Sequence, residues 1–322
     1  MMKHAIKTTW ILALVLLMST QGMRAQYDYM FTQYMFNEMF INPAYAGTKD
    51  AMSATLLHRQ QWVNFPGRPV TTSFSLHGPV MNESMGAGLS VMNERIGSLS
   101  RNLFYASYAY RLKINEDNRI SMGLSAGADN QTNNLSNLKL NPDGATPVND
   151  PQFAGNPSAI AANFGLGVFY TYKKNAFGGF SIPRLLDNEV KLNSLGTSTV
   201  KVTRFKLSRM TFYVTGGYLF DLNENYKLKT MAMFKMVKNA PAQIDLTANL
   251  LINNFLWAGI SYRSKSSMSA IVGWQANKQL LISYSYDYGV NKLQTYSLGS
   301  HEIVLNYLFS FTGKKIITPR YF

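Results

Sequence analysis

Gly123-Leu-Ser-Ala-Gly127 has the G-x-S-x-G spacing that elsewhere holds a nucleophilic serine on a strained strand-to-helix turn. Such chemistry needs a helix after the serine. Here Ile120, Met122, Leu124 and Ala126 alternate straight through the motif, so Gly123, Ser125 and Gly127 read as the opposite face of one strand. Beyond residue 25 the histidines are His58, His77 and His301, none at the H-E-x-x-H spacing of a zinc site. Gly86-Ala-Gly88 and Gly165-Leu-Gly167 lack the helix that a phosphate-binding glycine loop opens. The chain has no cysteine, which excludes thiolate metal sites, disulfides, catalytic thiols and lipoprotein anchors. The expectation is therefore no catalytic residue, no metal and no cofactor. Asp245, Asp287, Glu302, Arg59 and Arg111 fall at strand positions on one face, where a network of opposite charges satisfies them without catalysis. His301-Glu302 opens a strand and reads as a hydrogen-bonding pair in the lumen or at its rim.

The elements that position these residues are strands. From residue 51 the pattern has period two. Ile303, Leu305, Tyr307, Phe309 and Phe311 share one face, while Glu302, Asn306 and Ser310 share the other. Likewise Ile244, Leu246, Ala248 and Leu250 oppose Gln243, Asp245, Thr247 and Asn249. Fourteen such strands are expected between residues 51 and 311, an even number as in single-chain bacterial outer-membrane barrels. Connections alternate in length. Those near 79–83, 114–118, 174–175, 222–224, 253 and 277–278 are short, whereas Trp62–Pro69, Thr132–Pro157, Arg184–Ser208 and Val290–Gly299 lie in the other set. A barrel with short periplasmic turns and long outer loops sorts its connections this way, and a soluble sandwich has no reason to. The fold class expected is all-β, a transmembrane antiparallel β-barrel of about fourteen strands with an N-terminal plug-like segment. Hydrocarbon cannot hydrogen-bond the backbone, so the apolar face points to lipid and the Ser/Asn/Asp/Gly face inward. Tyr105, Tyr108, Tyr110, Tyr262, Trp274 and Tyr288 are expected in the interfacial girdles.

The remaining chain fits export. Lys3 and Lys7 precede the apolar run Trp10–Met18, and Ala25 supplies a small residue before Gln26, as in a secretory signal cleaved after Ala25. The domain expectation is a signal at 1–25, a periplasmic or plug segment at 26–50, the barrel at 51–311 and a periplasmic tail at 312–322, with both termini on the periplasmic side. Charged residues make up only 15% of the 322 residues, while aromatics reach 13%, a balance that excludes a disordered chain. The formal charge of +14 falls to +11 without the first 25 residues. No nucleic-acid module is present, which leaves lipopolysaccharide phosphates or an acidic protein as the balancing charge. Loop 184–209 concentrates Arg184, Lys191, Lys201, Arg204, Lys206 and Arg209 against Asp187 and Glu189. It reads either as a solvated loop over lipid phosphates or as a docking surface.

Several motifs carry a family resemblance. Phe31-Thr-Gln-Tyr-Met-Phe-Asn37 is followed by Ile41-Asn-Pro-Ala-Tyr-Ala-Gly47, then by Arg59-Gln-Gln-Trp62 with Gly67 and Pro69. Trp257–Arg263, Tyr284–Tyr288, Gly299–Ile303 and the final Pro319-Arg-Tyr-Phe322 complete the series. In this order they resemble the PorP/SprF family of type IX secretion outer-membrane proteins in Bacteroidetes, although Pro66 and Arg68 depart from the small or acidic residues expected beside Gly67. The resemblance implies a barrel without catalytic activity. It implies as partners the type IX secretion machinery and a secreted surface protein with a C-terminal sorting domain, within outer-membrane lipid that includes lipopolysaccharide. The candidate partner-binding residues are Gln33 and Tyr34, Asn42, Pro43 and Tyr45, Arg59 and Trp62, the basic loop residues Arg184, Lys191, Lys201, Arg204 and Lys206, and the terminal Pro319, Arg320 and Phe322. The Asn42–Gly47 segment contains a proline without a donor and a glycine suited to an unusual turn, so it lies in the periplasm or folds into the barrel as a plug. An outer-membrane channel or FadL-like transporter of small solutes is the alternative function.

Overall fold

The computed structural model describes residues 29–49, 51–80, 84–137, 155–173, 175–192, 198–205, 210–238 and 240–309. Fourteen strands close into one antiparallel barrel: β1 (Met52–Gln60), β2 (Val70–Val80), β3 (Met85–Ile96), β4 (Leu99–Lys113), β5 (Asn118–Asn133), β6 (Ser158–Tyr172), β7 (Ala176–Ile182), β10 (Thr211–Asp221), β11 (Tyr226–Val237), β12 (Gln243–Ile252), β13 (Leu256–Arg263), β14 (Ser267–Gln275), β15 (Leu280–Gly289) and β16 (Ser300–Phe309). Neighbours in sequence pair in space, and β1 closes on β16 from Met52 opposite Phe309 to Gln60 opposite His301. β8 (Leu186–Leu192) and β9 (Ser198–Phe205) form a separate hairpin in the connection from β7 to β10.

Turn chemistry explains the short rim. Asn115, Asn223 and Asn277 each accept two backbone N–H groups from residues two and three positions on, an Asx turn repeated between β4 and β5, β10 and β11, and β14 and β15. The connections from β1 to β2, β5 to β6, β7 to β10 and β15 to β16 leave from the opposite rim.

Outward positions are apolar. Ile303, Leu305 and Tyr307 are exposed along β16 while Glu302 and Asn306 are buried. Leu305→Arg is expected to impair insertion, by about 2–4 kcal/mol at the bilayer midplane, because the charge meets hydrocarbon. The membrane-inserted fraction, measured by heat-modifiable mobility, checks this, and Leu305→Ile should be silent. Tyr108, Tyr110, Tyr262, Trp274 and Tyr288 are exposed as a girdle requires. Tyr105 is not among them: it turns inward and donates its hydroxyl to Asp129 Oδ1 at 2.6 Å. Its parity with Leu103 and Ser107 on the inner face decides this.

The inner face is less polar than alternation suggests. Leu57, Met92, Leu103, Phe169, Met231 and Val304 point inward and pack against Phe31, Met35, Met39, Phe40 and Ile41. Residues 29–49, wound as three single 3₁₀ turns (Tyr34–Phe36, Glu38–Phe40 and Pro43–Tyr45), thus form the core of the barrel. This segment begins at the long-loop end, where Tyr29 lies under the Arg184 guanidinium, and descends to Gly47 and Thr48 beside His77 and Arg111. The described part of this segment thus runs from the long-loop end to the short-turn end, and residues 26–28 lie outside the described residues.

Candidate functional site

Arg59 anchors the top of the inner segment. Its side chain lies on the inward face of β1 and is 2% exposed. Nη2 donates to Asp287 Oδ2 at 2.6 Å, and Nη1 to Glu302 Oε2 at 2.9 Å and Thr32 Oγ1 at 2.8 Å. Glu302 in turn accepts the backbone N–H of Thr32 (2.9 Å) and of Gln33 (2.7 Å), and Thr32 donates to Asp287 at 2.7 Å. The ion triad therefore holds a bend of backbone that has no ladder partner of its own. It also straddles the closing seam, because Arg59 belongs to β1 and Glu302 to β16. Gln33 adds bonds to Ser285 and to the Glu302 carbonyl. Arg263 pairs with Asp245 at 2.8 Å and donates to the Phe31 carbonyl at 2.7 Å.

Lower in the barrel, Asn37 donates to Ser73 and accepts from Ser75. Asn42 caps its own turn by accepting the Ala44 N–H and donates to the Val168 carbonyl at 2.9 Å. Tyr34, Pro43 and Tyr45 are buried, with Tyr45 edge-on to Phe169 at 5.4 Å between centroids. Two inward glycines make the close approach possible. A Cβ on Gly86 would sit 2.0 Å from the Ala46 carbonyl oxygen, and one on Gly123 would sit 2.2 Å from the Ala44 nitrogen. Gly123 is the first glycine of the G-x-S-x-G match, so its place there is explained by room for backbone. Glu38 and Lys49 of the inner segment are buried as well, and Lys49 Nζ donates to Ser53 Oγ at 3.3 Å and to Asn306 Oδ1 at 3.4 Å. Between Tyr29, Phe31, Tyr34 and Lys235 the free space is about 10 Å³, no more than one water. At the short-turn end a polar hollow of about 400 Å³ remains, lined by Thr48, Arg111, Arg119 and Lys173.

The other candidates lie at the long-loop end. Trp62 adopts φ 51° in the turn after β1, donates its N–H to Ser300 Oγ at 3.1 Å and meets Phe65 edge-on. Arg184 follows β7, with Nη1 3.8 Å from Asp129 Oδ2 and the guanidinium 5.7 Å from the Tyr29 ring centre. Lys191 lies on β8, and Lys201 and Arg204 on β9, opposite Glu189 and Asp187. Asn163 of β6 ties down the hairpin base through Leu185 and Leu186. Lys206, Pro319, Arg320 and Phe322 lie outside the described residues. Among the described residues no cluster of histidine and carboxylate side chains suits a metal ion.

A family model described as "Type IX secretion system membrane protein PorP/SprF" matches residues 23–307. The chain belongs to the PorP/SprF family. The match spans the inner segment and nearly all of the barrel, so the motifs at Phe31–Asn37 and Ile41–Gly47 are family territory as well as core. No curated protein matches this PorP/SprF sequence. Among solved structures, the barrel is similar to Acinetobacter baumannii outer membrane protein Omp33 at 7% identity and TM-score 0.47, covering 81% of this chain and 99% of that one. A Pseudomonas aeruginosa FadL homologue gives 11% identity and TM-score 0.47 over 89% and 96% of the two chains. The Ralstonia pickettii toluene transporter TbuX gives 10% and 0.48 over 90% and 96%.

Thr32, Asn37, Arg263 and the glycines at 86 and 123 were not singled out as site residues by sequence. Thr32 and Asn37 lie inside the Phe31–Asn37 motif and Arg263 ends the Trp257–Arg263 motif, but nothing local says that Asn37 bonds to β2 or that Thr32 bonds to β15 and β16, more than 250 residues on.

Proposed function

We propose that this PorP/SprF barrel resides in the outer membrane as a non-enzymatic docking component of type IX secretion, retaining a secreted protein that bears a C-terminal sorting domain. The observation that carries the reading is the occupied lumen. An inner segment bonded to both sides of the closing seam packs against the wall, with about 10 Å³ free between Tyr29, Phe31, Tyr34 and Lys235, so the work falls to the rims. The secreted partner docks on the long-loop rim, where the connection from β7 to β10 carries Arg184, Lys191, Lys201, Arg204 and Lys206 in its sequence and suits an acidic surface. Gln33, Tyr34, Asn42, Pro43, Tyr45 and Arg59 act from below, by holding the floor on which Trp62 and the hairpin stand. Pro319, Arg320 and Phe322 contact the machinery from the periplasm, after removal of the signal at Ala25.

Deleting residues 184–208 should leave heat-modifiable mobility unchanged, because β7 pairs with β10 independently of the hairpin, and should release the partner from the surface into the medium. Deleting 316–322 should also spare assembly while lowering secretion. Unchanged secretion and retention in both variants would end the docking reading. The polar hollow of about 400 Å³ at the short-turn end favours the second reading, a channel for small solutes, which predicts conductance from the unaltered protein in planar bilayers.

A further inference from the structure

The outer surface is not uniformly convex. Across β10 to β15 a hollow of about 810 Å³ opens towards the surroundings. Its floor is bare sheet, because the outward positions there are Gly216, Ala232, Ala248 and Ala270. Leu246, Ile260, Tyr262, Met268 and Tyr288 stand around it, all exposed. In a barrel placed in a membrane, a hollow with this lining takes hydrocarbon chains.

The hollow is tilted to one end. Tyr262 and Met268 flank the turn between β13 and β14, and Tyr288 is next to the last residue of β15, all on the long-loop rim. Three successive connections lie over this sector on that rim, 238–242, 264–266 and 290–299. They contain Lys238, Lys265 and Lys292 and no Asp or Glu. All three lysines are exposed. On the opposite rim the same sector has Glu224 against Lys278. Apolar hollow, tyrosine border and unopposed cations are thus stacked in the order in which a phosphorylated, acylated lipid presents its chains, its interface and its phosphates.

We infer that the β10–β15 face is a binding site for the lipid A moiety of lipopolysaccharide, with acyl chains in the hollow and phosphate on Lys238, Lys265 and Lys292. The inference rests on the outer-membrane placement proposed above and is independent of partner docking. Long loops face outward in such barrels, and the outer leaflet on that side is where lipopolysaccharide resides.

The test compares the full-length protein with two variants, Lys238→Ser/Lys265→Ser/Lys292→Ser and Ala232→Leu/Ala248→Leu. Each is extracted in mild detergent from outer membranes, and lipopolysaccharide per barrel is measured. Each is also placed in nanodiscs containing either lipopolysaccharide or phosphatidylglycerol, and lipid retention after washing is read by native mass spectrometry. The lysine variant should lose at least about tenfold of the retained lipopolysaccharide, the filled variant should lose its slowly washed fraction, and phosphatidylglycerol should bind all three equally weakly. Unchanged lipopolysaccharide in the lysine variant would overturn the site. So would phosphatidylglycerol held as tightly as lipopolysaccharide, or a co-purifying membrane protein, rather than lipid, displaced by the filled variant. The surface lysines touch no packed core, so that variant stays informative if the filled one fails to fold. Absence of the unaltered protein from the outer-membrane fraction would instead remove the placement on which the site depends.

Discussion

Arg59→Ala is expected to abolish most of the correctly assembled barrel. The guanidinium is 2% exposed and lies against two carboxylates, Asp287 and Glu302, that are themselves 2% and 0% exposed. Removing one partner of a buried ion cluster leaves uncompensated charge, at a cost of about 3–5 kcal/mol. Against a net stability of roughly 5–15 kcal/mol that is a large fraction. The loss reaches further here, because Glu302 holds the Thr32 and Gln33 N–H groups and so ties the inner segment to the seam. A compensated variant separates charge from shape. Arg59→Met with Asp287→Asn and Glu302→Gln removes all three charges together and should recover much of the folded population. Heat-modifiable mobility gives the folded fraction and the temperature at which it is lost. Wild-type values for Arg59→Ala alone would show that the triad does not hold the segment.

Gly86→Val together with Gly123→Val is expected to expel the inner segment while leaving the barrel closed. The two substitutions place methyl groups where the Ala46 carbonyl and the Ala44 nitrogen now lie, 2.0 and 2.2 Å from the new Cβ atoms. Backbone cannot yield there as a flexible side chain does. The strands themselves gain, since valine suits a pleated sheet better than glycine. The expected result is a heat-modifiable barrel that conducts in planar bilayers, beside a wild type that does not. Gly178→Val is the control, because a Cβ there meets nothing nearer than 4.0 Å. Conductance that stays absent in the double variant would mean that residues 29–49 do not seal the lumen. Conductance already present in the wild type would favour the channel reading over docking.

Local pattern alone determined the strands of this protein and their order. A strand in hydrocarbon has two faces with different solvents, and every residue reports its face by parity, so fourteen strands and the rim of long loops were legible from alternation and turn residues. Asn115, Asn223 and Asn277 end strands by bonding to backbone two or three positions away, which is information a short window contains. The motif series around Phe31, Asn42 and Arg59, which lies within the family match, was legible for the same local reason. The β8–β9 hairpin was not, because its connection reads as a polar loop and its support comes from Asn163 on another strand.

What only the tertiary structure decided is what fills the barrel. Parity predicts an inward face of serine, asparagine and glycine, yet Leu57, Met92, Phe169 and Val304 also point inward, because part of the lumen is core and not water. Parity with Leu103 and Ser107 turns Tyr105 inward, but that it meets Asp129 there was decided by the pairing of β4 with β5. The path of residues 29–49, starting under Arg184 and ending beside His77, depends on bonds from Thr32 and Gln33 to Glu302, about 270 residues on. No period or spacing encodes that pairing. It exists only once β1 has met β16 and closed the wall around the segment, since closure is what removes water from Arg59, Asp287 and Glu302 and leaves them to be satisfied by one another and by Thr32 and Gln33 of the segment.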